Sequence, residues 1–293
     1  MDLLWFDYAN LALNGLAEGL MIALPALAVT LVFGVARFPN AAVGDFVSLG
    51  CFGALAAHRA SGGSIAAALA GGAAAGALGS WLGWKLAFQP LMRRRGLALL
   101  LTSLGRGFVL RAVMGLAFGH EIQLFDVPLM KALRWGPLLM NPIDAMVAGF
   151  SVVCRALVFG LLRFTSTGRN MRAIADDLDL ARVVGIDSRA AMSRMWILSG
   201  LICGVSGLAL GLKTQVSPEA GADLLLPAFS AAVIGGLGNP LGAVLGAITL
   251  GVLQELSTPF VGFTYKIALS YVVMLLVLLW RPQGLFNRVQ GVR

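Results

Sequence analysis

Long runs of apolar residues follow one another along almost the whole chain, with only short polar segments between them. A helix needs roughly 20 such residues to cross the hydrocarbon core of a bilayer. A chain built in this way can bury its apolar surface only as a bundle of membrane-spanning helices. We predict transmembrane helices at 11–34, 42–58, 64–87, 97–119, 140–163, 195–213, 222–237, 240–257 and 264–280.

The segment 222–237 decides the number of spans, because it is short and contains Pro227. It either crosses the membrane fully or is a broken, partly re-entrant element. We therefore predict 8–10 transmembrane helices, with nine as the best count. The predicted fold class is an all-α polytopic integral membrane helix bundle, and residues 1–293 form a single transmembrane domain.

The amino-acid composition supports this assignment and argues against other classes of protein. Hydrophobic residues make up 58% of the chain and charged residues 12%, and this charged fraction is about half of that in a typical soluble domain. A soluble enzyme, a nucleic-acid-binding module and a disulfide scaffold all fit this composition poorly. The net charge of +8 comes mostly from cations in short loops. We therefore expect membrane lipid, and not nucleic acid, around this chain.

The distribution of lysine and arginine predicts the orientation of the bundle. The loops 35–41, 84–96, 163–194 and 281–293 hold fourteen cations, whereas the loops on the other side of the predicted spans hold five. Loops rich in Lys and Arg face the cytoplasm. We therefore predict that the N-terminus lies outside, that the C-terminus is cytoplasmic, and that the number of spans is odd.

Pairs of glycines four residues apart recur within the predicted spans. This spacing places two small residues on one face of a helix, so that a neighbouring backbone approaches closely. The pairs are Gly72/Gly76, Gly79/Gly83, Gly200/Gly204, Gly207/Gly211 and Gly242/Gly246. They predict tight helix packing inside the bundle.

The longest cytoplasmic loop, 165–194, contains a pattern typical of an amphipathic helix. Residues 170–184 are free of proline, Ser166 or Thr167 is a candidate N-cap, and Gly185 is a candidate helix end. One apolar stripe is formed by Ile174, Leu178, Ala181 and Val184. The polar face is as acidic as it is basic and the stripe lacks Trp and Phe, so a protein groove suits this helix better than a membrane surface.

At this loop the sequence resembles the cytoplasmic loop of ABC importer permeases, in the version found in branched-chain amino acid permeases. Two later segments resemble the same family: 228–251, which is rich in glycine, and 268–286, which ends in Arg-Pro-Gln-Gly-Leu-Phe. Residues 40–46 resemble its Asn-Phe-Ala-His-Gly-Asp-Phe motif but depart from it at Ala41 and Val43. The residues to which the resemblance assigns the ATPase-coupling loop are Gly168, Arg169, Arg172, Ala173, Ile174, Asp177, Leu178, Ala181, Gly185 and Ile186.

The resemblance implies a permease subunit of an ATP-driven importer in the bacterial inner membrane, which moves branched-chain or other hydrophobic amino acids by alternating access. Its implied partners are a second homologous permease subunit, two cytoplasmic ATPase subunits and a periplasmic substrate-binding protein. The sequence lacks a Gly-x4-Gly-Lys-Ser/Thr motif, so ATP is expected to be used by the partner subunits. We expect no cofactor, no metal site and no catalytic residue on this chain.

Several polar residues lie within or near the predicted spans, where a charge costs about 2.5–3.5 kcal/mol on insertion scales. We expect them to form ion pairs between helices or to line the transport pathway. These candidates are Glu18, Asn40, Asp45, Arg106, Arg111 and Glu255. Glu18 and Asp45 are expected to pair with Arg106 or Arg111.

Two alternatives belong to other functional classes. A secondary transporter or channel for small polar organic compounds, such as urea or amides, would work without an ATPase but would be expected to contain an inverted repeat. An intramembrane enzyme would need clustered catalytic side chains, and the chain contains only two histidines, which are far apart. Neither alternative explains the amphipathic segment 170–184.

Overall fold

The computed structural model describes residues 5–92, 96–127, 133–135, 138–281 and 283–286. Helices dominate it. In chain order they are α1 (Trp5–Ala36), α2 (Val43–Ala60), α3 (Ile65–Gly83), α4 (Gln89–Leu91), α5 (Gly96–Phe118), α6 (Pro142–Phe164), α7 (Ser166–Asp176), α8 (Leu178–Val183), α9 (Ser188–Lys213), α10 (Ala220–Gly235), α11 (Pro240–Val261) and α12 (Lys266–Trp280). A π-helix at Trp84–Phe88 joins α3 to α4, and a 3-10 turn at Phe263–Tyr265 precedes α12.

The predicted helical bundle is confirmed, with one small addition that the sequence did not suggest. Two short antiparallel strands, β1 (Leu133–Trp135) and β2 (Leu138–Met140), form a hairpin between α5 and α6.

Every predicted span coincides with a helix. Among the described residues, six helices are long and apolar enough to cross a membrane. The predicted spans 42–58, 222–237 and 264–280 correspond to the shorter helices α2, α10 and α12, with 18, 16 and 15 residues. α10 runs through Pro227 without a break.

The segments with many cations meet at one end of the molecule. Arg37 follows α1 and donates a hydrogen bond to the carbonyl of Ala175. A small cleft lies between Trp84 in the π-helix and Leu178 in α8, and the amide of Leu285 donates to the carbonyl of Ile234 over 2.8 Å. We call this the basic end and define it as residues 34–38, 84–92, 163–192, 234–239 and 281–286, as far as the structure describes them.

The opposite end is closed by ion pairs and a few loop contacts. Lys213 at the end of α9 contacts Glu18 in α1, and Lys266 at the start of α12 contacts Glu255 in α11. Gln123 forms a β-bridge with the segment that follows α9. We call this the ion-pair end and define it as residues 14–18, 58–64, 118–126, 140–144, 213–217 and 255–266. The nine helices that match the predicted spans run alternately between the two ends.

Backbone-to-backbone packing holds α3 against α9, as the glycine spacing predicts. A β-carbon added to Gly204 would collide with the carbonyl of Gly72, and one added to Gly200 would collide with the carbonyl of Gly76. These helices therefore approach more closely than side chains would permit. α2 packs on the same pair of helices, so α2, α3 and α9 form one unit, while α1 packs along α11.

Asparagine–proline pairs start two of the spans. Asn141 caps α6 by accepting a hydrogen bond from the amide of Ile143 over 3.0 Å, and Asn239 caps α11 by accepting from the amide of Gly242 over 3.2 Å. The next residue in each case is a proline at the first helical position. The side-chain oxygen satisfies an otherwise unpaired amide, and proline costs no hydrogen bond there.

Candidate functional site

A sharp turn at Gly168 connects α6 to the loop segment 165–194. Thr165 caps α7 and accepts a hydrogen bond from the amide of Gly168 over 3.4 Å, so the N-cap lies one residue before Ser166 and two before Thr167, the two predicted candidates. A β-carbon on Gly168 would overlap the backbone of Leu162. The side chain of Arg172 donates to the carbonyl of the same Leu162. Gly168 and Arg172 therefore fold α7 back against the end of α6.

The predicted continuous helix 170–184 is wrong, because the chain divides at Asp177 into α7 and α8. Asp177 has an extended backbone. Its carboxylate accepts hydrogen bonds from the amides of Asp179 and Leu180 over 2.9 and 3.0 Å. An aspartate at this position competes for the backbone amides and caps a new helix in preference to continuing the old one. The sequence pattern predicted Asp177 as part of the polar face of one continuous helix.

The predicted helix end at Gly185 is confirmed. Gly185 has a positive φ of 88°, a conformation that favours glycine, and the amide of Ile186 donates back to the carbonyl of Ala181 over 3.0 Å. Asp187 then caps α9 by accepting from the amides of Arg189 and Ala190 over 2.9 and 3.1 Å. The Gly-Ile-Asp sequence thus ends one helix and begins the next within three residues.

The apolar residues of this segment face two ways. Ile174 and Ala181 of the predicted stripe are buried in the core of the chain itself, together with Met171, and Leu178 and Ala173 pack against that core. The exposed apolar side chains are Leu180, Val183 and Val184, which are 61%, 84% and 74% exposed. We call these three residues the apolar tip. Three residues of the predicted stripe, Ile174, Leu178 and Ala181, therefore hold the segment to the bundle, whereas its fourth residue, Val184, is exposed and belongs to the apolar tip.

Four aromatic rings pack together directly after the loop segment 165–194, where α9 continues into the bundle. Trp196 in α9 stacks on Phe88 with ring centroids 4.5 Å apart and on Trp84 at 6.0 Å. Phe38, in the loop after α1, lies 5.5 Å from Phe88. Through these rings α9 is in direct contact with the π-helix after α3 and with the loop after α1.

The predicted intramembrane ion pair exists between Asp45 and Arg111. The carboxylate of Asp45 accepts from Nε of Arg111 over 2.6 Å, with Asp45 2% exposed and Arg111 30% exposed. Arg106 instead donates to the carbonyl of Gly79, and its guanidinium lies 4.6 Å from the centroid of the Phe46 ring. It occupies the space that a side chain on Gly83 would need, whereas a β-carbon on Gly79 would meet the side chain of Leu49.

The prediction for Glu18 is wrong in its partner. Glu18 does not pair with an arginine: its carboxylate accepts from Nζ of Lys213 over 2.7 Å, and the same ammonium group lies 3.1 Å from Asp144. Glu18 is near the ion-pair end of α1, whereas Arg106 and Arg111 pack beside α2. Glu255 pairs with Lys266.

Asn40 has a local role. It is buried, and its side-chain oxygen accepts from the amide of Ala42 over 3.1 Å, which shapes the turn into α2.

Sequence reasoning missed the importance of Lys213 and Lys266, which it counted only as loop cations. The available signal was their position at the end of one predicted span and the start of another, on the side where Glu18, Asp144 and Glu255 also lie. These five residues surround one cavity of about 630 Å³ at the ion-pair end. We call this the outer cavity.

A family model described as branched-chain amino acid transport system / permease component matches residues 11–279. The chain belongs to this family. It is therefore the permease component of a transport system and a multi-pass membrane protein, as the sequence resemblance indicated.

Individual members of the family match over nearly their whole length. The high-affinity branched-chain amino acid transport system permease protein BraD of Pseudomonas aeruginosa is 29% identical, over 97% of each chain. The permease protein LivH of Escherichia coli is 28% identical, over 94% of each chain. A probable branched-chain amino acid transport permease protein LivH of Methanocaldococcus jannaschii is 27% identical, over 90% of this chain and 88% of that protein.

Proposed function

We propose that this permease forms half of the transmembrane pathway of an ATP-driven importer, and that it translocates branched-chain or other hydrophobic amino acids by alternating access. The observation that carries this proposal is the apolar tip. It lies at the basic end, on and directly after α8, the helix that Asp177 caps. The names of the relatives support the substrate class. Free amino acids cross without covalent chemistry, which agrees with a chain that needs no catalytic residue.

The loop segment has the construction expected of a coupling element. α8 is held at its start by the Asp177 cap and at its end by Gly185, and Ala181 fixes its inner face to the core. A short helix restrained in this way moves as a rigid body. A groove on an ATPase subunit that binds the apolar tip would therefore move α6 and α9 together when it closes on ATP.

The remaining partners follow the same division of labour. Two cytoplasmic ATPase subunits bind at the basic end, and a periplasmic substrate-binding protein delivers the solute at the ion-pair end. This arrangement makes the basic end cytoplasmic and the N-terminus external, in keeping with the positive-inside rule. ATP is bound and hydrolysed by the partner chains.

We propose that the second permease subunit packs against α5. Arg111 lies in the middle of this helix and keeps 30% of its side chain exposed, next to exposed Phe108 and Leu104. A charge facing lipid at that depth costs about 2.5–3.5 kcal/mol, so the face is better covered by protein or by a water-filled pathway. A second, homologous permease subunit would cover this face with protein and would form a water-filled pathway between the two subunits.

The test is co-purification of the permease with candidate ATPase subunits. Val183→Glu places a charge on the apolar tip without disturbing the core, because Val183 is 84% exposed. Tyr265→Glu is the control, since it adds the same charge at an exposed aromatic residue of the opposite end. We expect Val183→Glu to abolish ATPase binding and uptake, and Tyr265→Glu to retain ATPase binding.

Retention of ATPase binding and ATP-driven uptake by Val183→Glu would contradict the proposed docking surface. Amino-acid transport by the purified permease alone in liposomes, without ATP, would contradict the importer itself and favour a secondary transporter.

A further inference from the structure

The outer cavity is lined by five parts of the chain that are distant in sequence. Its volume of about 630 Å³ lies within the range of ~300–1,000 Å³ that is usual for small-molecule sites. α1, the start of α6, the end of α9, the end of α11 and the start of α12 all contribute to its walls. Any ligand in it would therefore contact residues of several helices at once.

The walls of the outer cavity carry both signs of charge. Three carboxylates, from Glu18, Asp144 and Glu255, face two ammonium groups, from Lys213 and Lys266. Lys213 is shared between Glu18 and Asp144, at 2.7 and 3.1 Å. One ammonium group thus serves two carboxylates on this side of the cavity. A second cation entering there would neutralise the remaining negative charge.

The other side of the cavity offers a positive group. The ammonium group of Lys266 pairs with Glu255 and lies 5.5 Å from the centroid of the Phe263 ring. A lysine can donate three hydrogen bonds, and within the described residues this one pairs with a single carboxylate. Lys266 can therefore donate to an incoming carboxylate as well.

Apolar side chains complete the lining. Met21, Met140 and Phe263 line the cavity, and Phe263 lies beside Lys266. Methionine adapts its shape to different apolar groups. This part of the lining suits an aliphatic side chain of variable form.

We propose that the outer cavity binds a free aliphatic amino acid as its zwitterion. Its ammonium group contacts Glu18 and Asp144 beside Lys213, its carboxylate accepts from Lys266, and its side chain contacts the methionines. This inference rests on the proposed transport of amino acids and adds to it a site on the permease itself. The permease would then select for the zwitterion, in addition to any selection by a binding protein.

The test is isothermal titration of the purified full-length permease in lipid nanodiscs with three probes. Leucine carries both charged groups, 4-methylpentanoate lacks the ammonium group, and 3-methylbutylamine lacks the carboxylate. We expect saturable binding of leucine and at least tenfold weaker binding of each analogue. Because this series uses the unmodified chain, it does not depend on any variant folding.

Two variants assign the groups. Lys266→Gln is expected to weaken leucine binding about tenfold, the factor set by roughly one charge-assisted hydrogen bond, and to leave binding of 3-methylbutylamine unchanged. Asp144→Asn is expected to weaken both of these ligands and to leave binding of 4-methylpentanoate unchanged. Arg59→Gln, at the same end but outside the cavity, is the control and should bind leucine normally. A folding defect would weaken all three probes together.

The inference is overturned if leucine and its two analogues bind equally. It is also overturned if a chain that still assembles with the ATPase subunits shows no saturable leucine binding. Either result would leave the proposed function intact. Failure of the unmodified chain to assemble with those subunits would instead count against the proposed function.

Discussion

The two ends of this permease use their charges in opposite ways. At the ion-pair end, Lys213 and Lys266 are partly buried and each contacts a carboxylate of another helix. At the basic end, Arg182 and Asp179 form an exposed pair, and Arg37 and Arg172 donate to backbone carbonyls. The partly buried pairs join neighbouring helices at the ion-pair end. The exposed cations beside the apolar tip are available to another protein or to the membrane. This difference agrees with our proposals that the ion-pair end holds a small ligand and that the basic end docks the ATPase subunits.

The largest effect is expected at the turn into the loop segment. Gly168→Ala forces a β-carbon into the backbone of Leu162, so α7 and α8 lose their position. We expect ATPase binding and uptake to fall to background. Gly160→Ala makes the same change in α6, where a β-carbon meets nothing within 4 Å, and it should alter stability by about 1 kcal/mol or less. Equal behaviour of the two variants in the uptake assay would show that the position of the segment does not matter.

The aromatic cluster should give the next largest effect. Trp196 is fully buried and stacks on two other rings, so Trp196→Ala is expected to lower the free energy of unfolding by about 3–5 kcal/mol. Trp280→Ala is the control, because Trp280 is 87% exposed. Unfolding in mixed micelles, followed by circular dichroism, measures both. A cost at Trp196 no larger than that at Trp280 would show that the ring contacts between α9 and the π-helix do not stabilise the bundle.

The buried pair between α2 and α5 should have an intermediate effect. Asp45→Asn removes the charge that Arg111 contacts and is expected to cost about 1.5–3 kcal/mol, the usual contribution of a hydrogen bond to a charged group. Adding Arg111→Leu should recover part of this loss, because no charge is then left unpaired. The same unfolding assay applies. If the double variant is less stable than the sum of the single changes, the two residues do not act as an ion pair.

The smallest effect is expected for the exposed pair of the basic end. Asp179 is 91% exposed and Arg182 56% exposed, with their charged atoms 3.3 Å apart. Asp179→Asn should change the free energy of unfolding of the isolated permease by about 0.5 kcal/mol or less, as expected for an exposed pair within one helix. A cost comparable to that of Asp45→Asn would erase the contrast between the two ends.

The bundle was predictable from the sequence because each span has a long apolar run, and because the glycine spacing in α3 and α9 matches their close packing. The position of Gly185 was predictable for a similar reason, since glycine suits a left-handed helix end. The break at Asp177 was not, because a capping aspartate and a solvated aspartate look the same in a helical pattern. The partner of Glu18 was also not predictable, since it depends on which helix ends meet, and local sequence does not encode that.

The orientation of the apolar stripe shows a second limit. Ile174 and Ala181 lie on the face that the periodicity identified, but periodicity does not distinguish burial against the same chain from burial against a partner. Only the packing of α7 and α8 on α6 and α9 reveals that Leu180, Val183 and Val184 remain exposed.

The central claim is that the apolar tip contacts an ATPase subunit on the cytoplasmic side. The most direct measurement is photo-cross-linking from a benzoylphenylalanine placed at position 183 in the assembled transporter in native membranes. We predict a cross-link from position 183 to the ATPase subunit, and none to the binding protein. A cross-link to the binding protein, or to lipid alone, would contradict it.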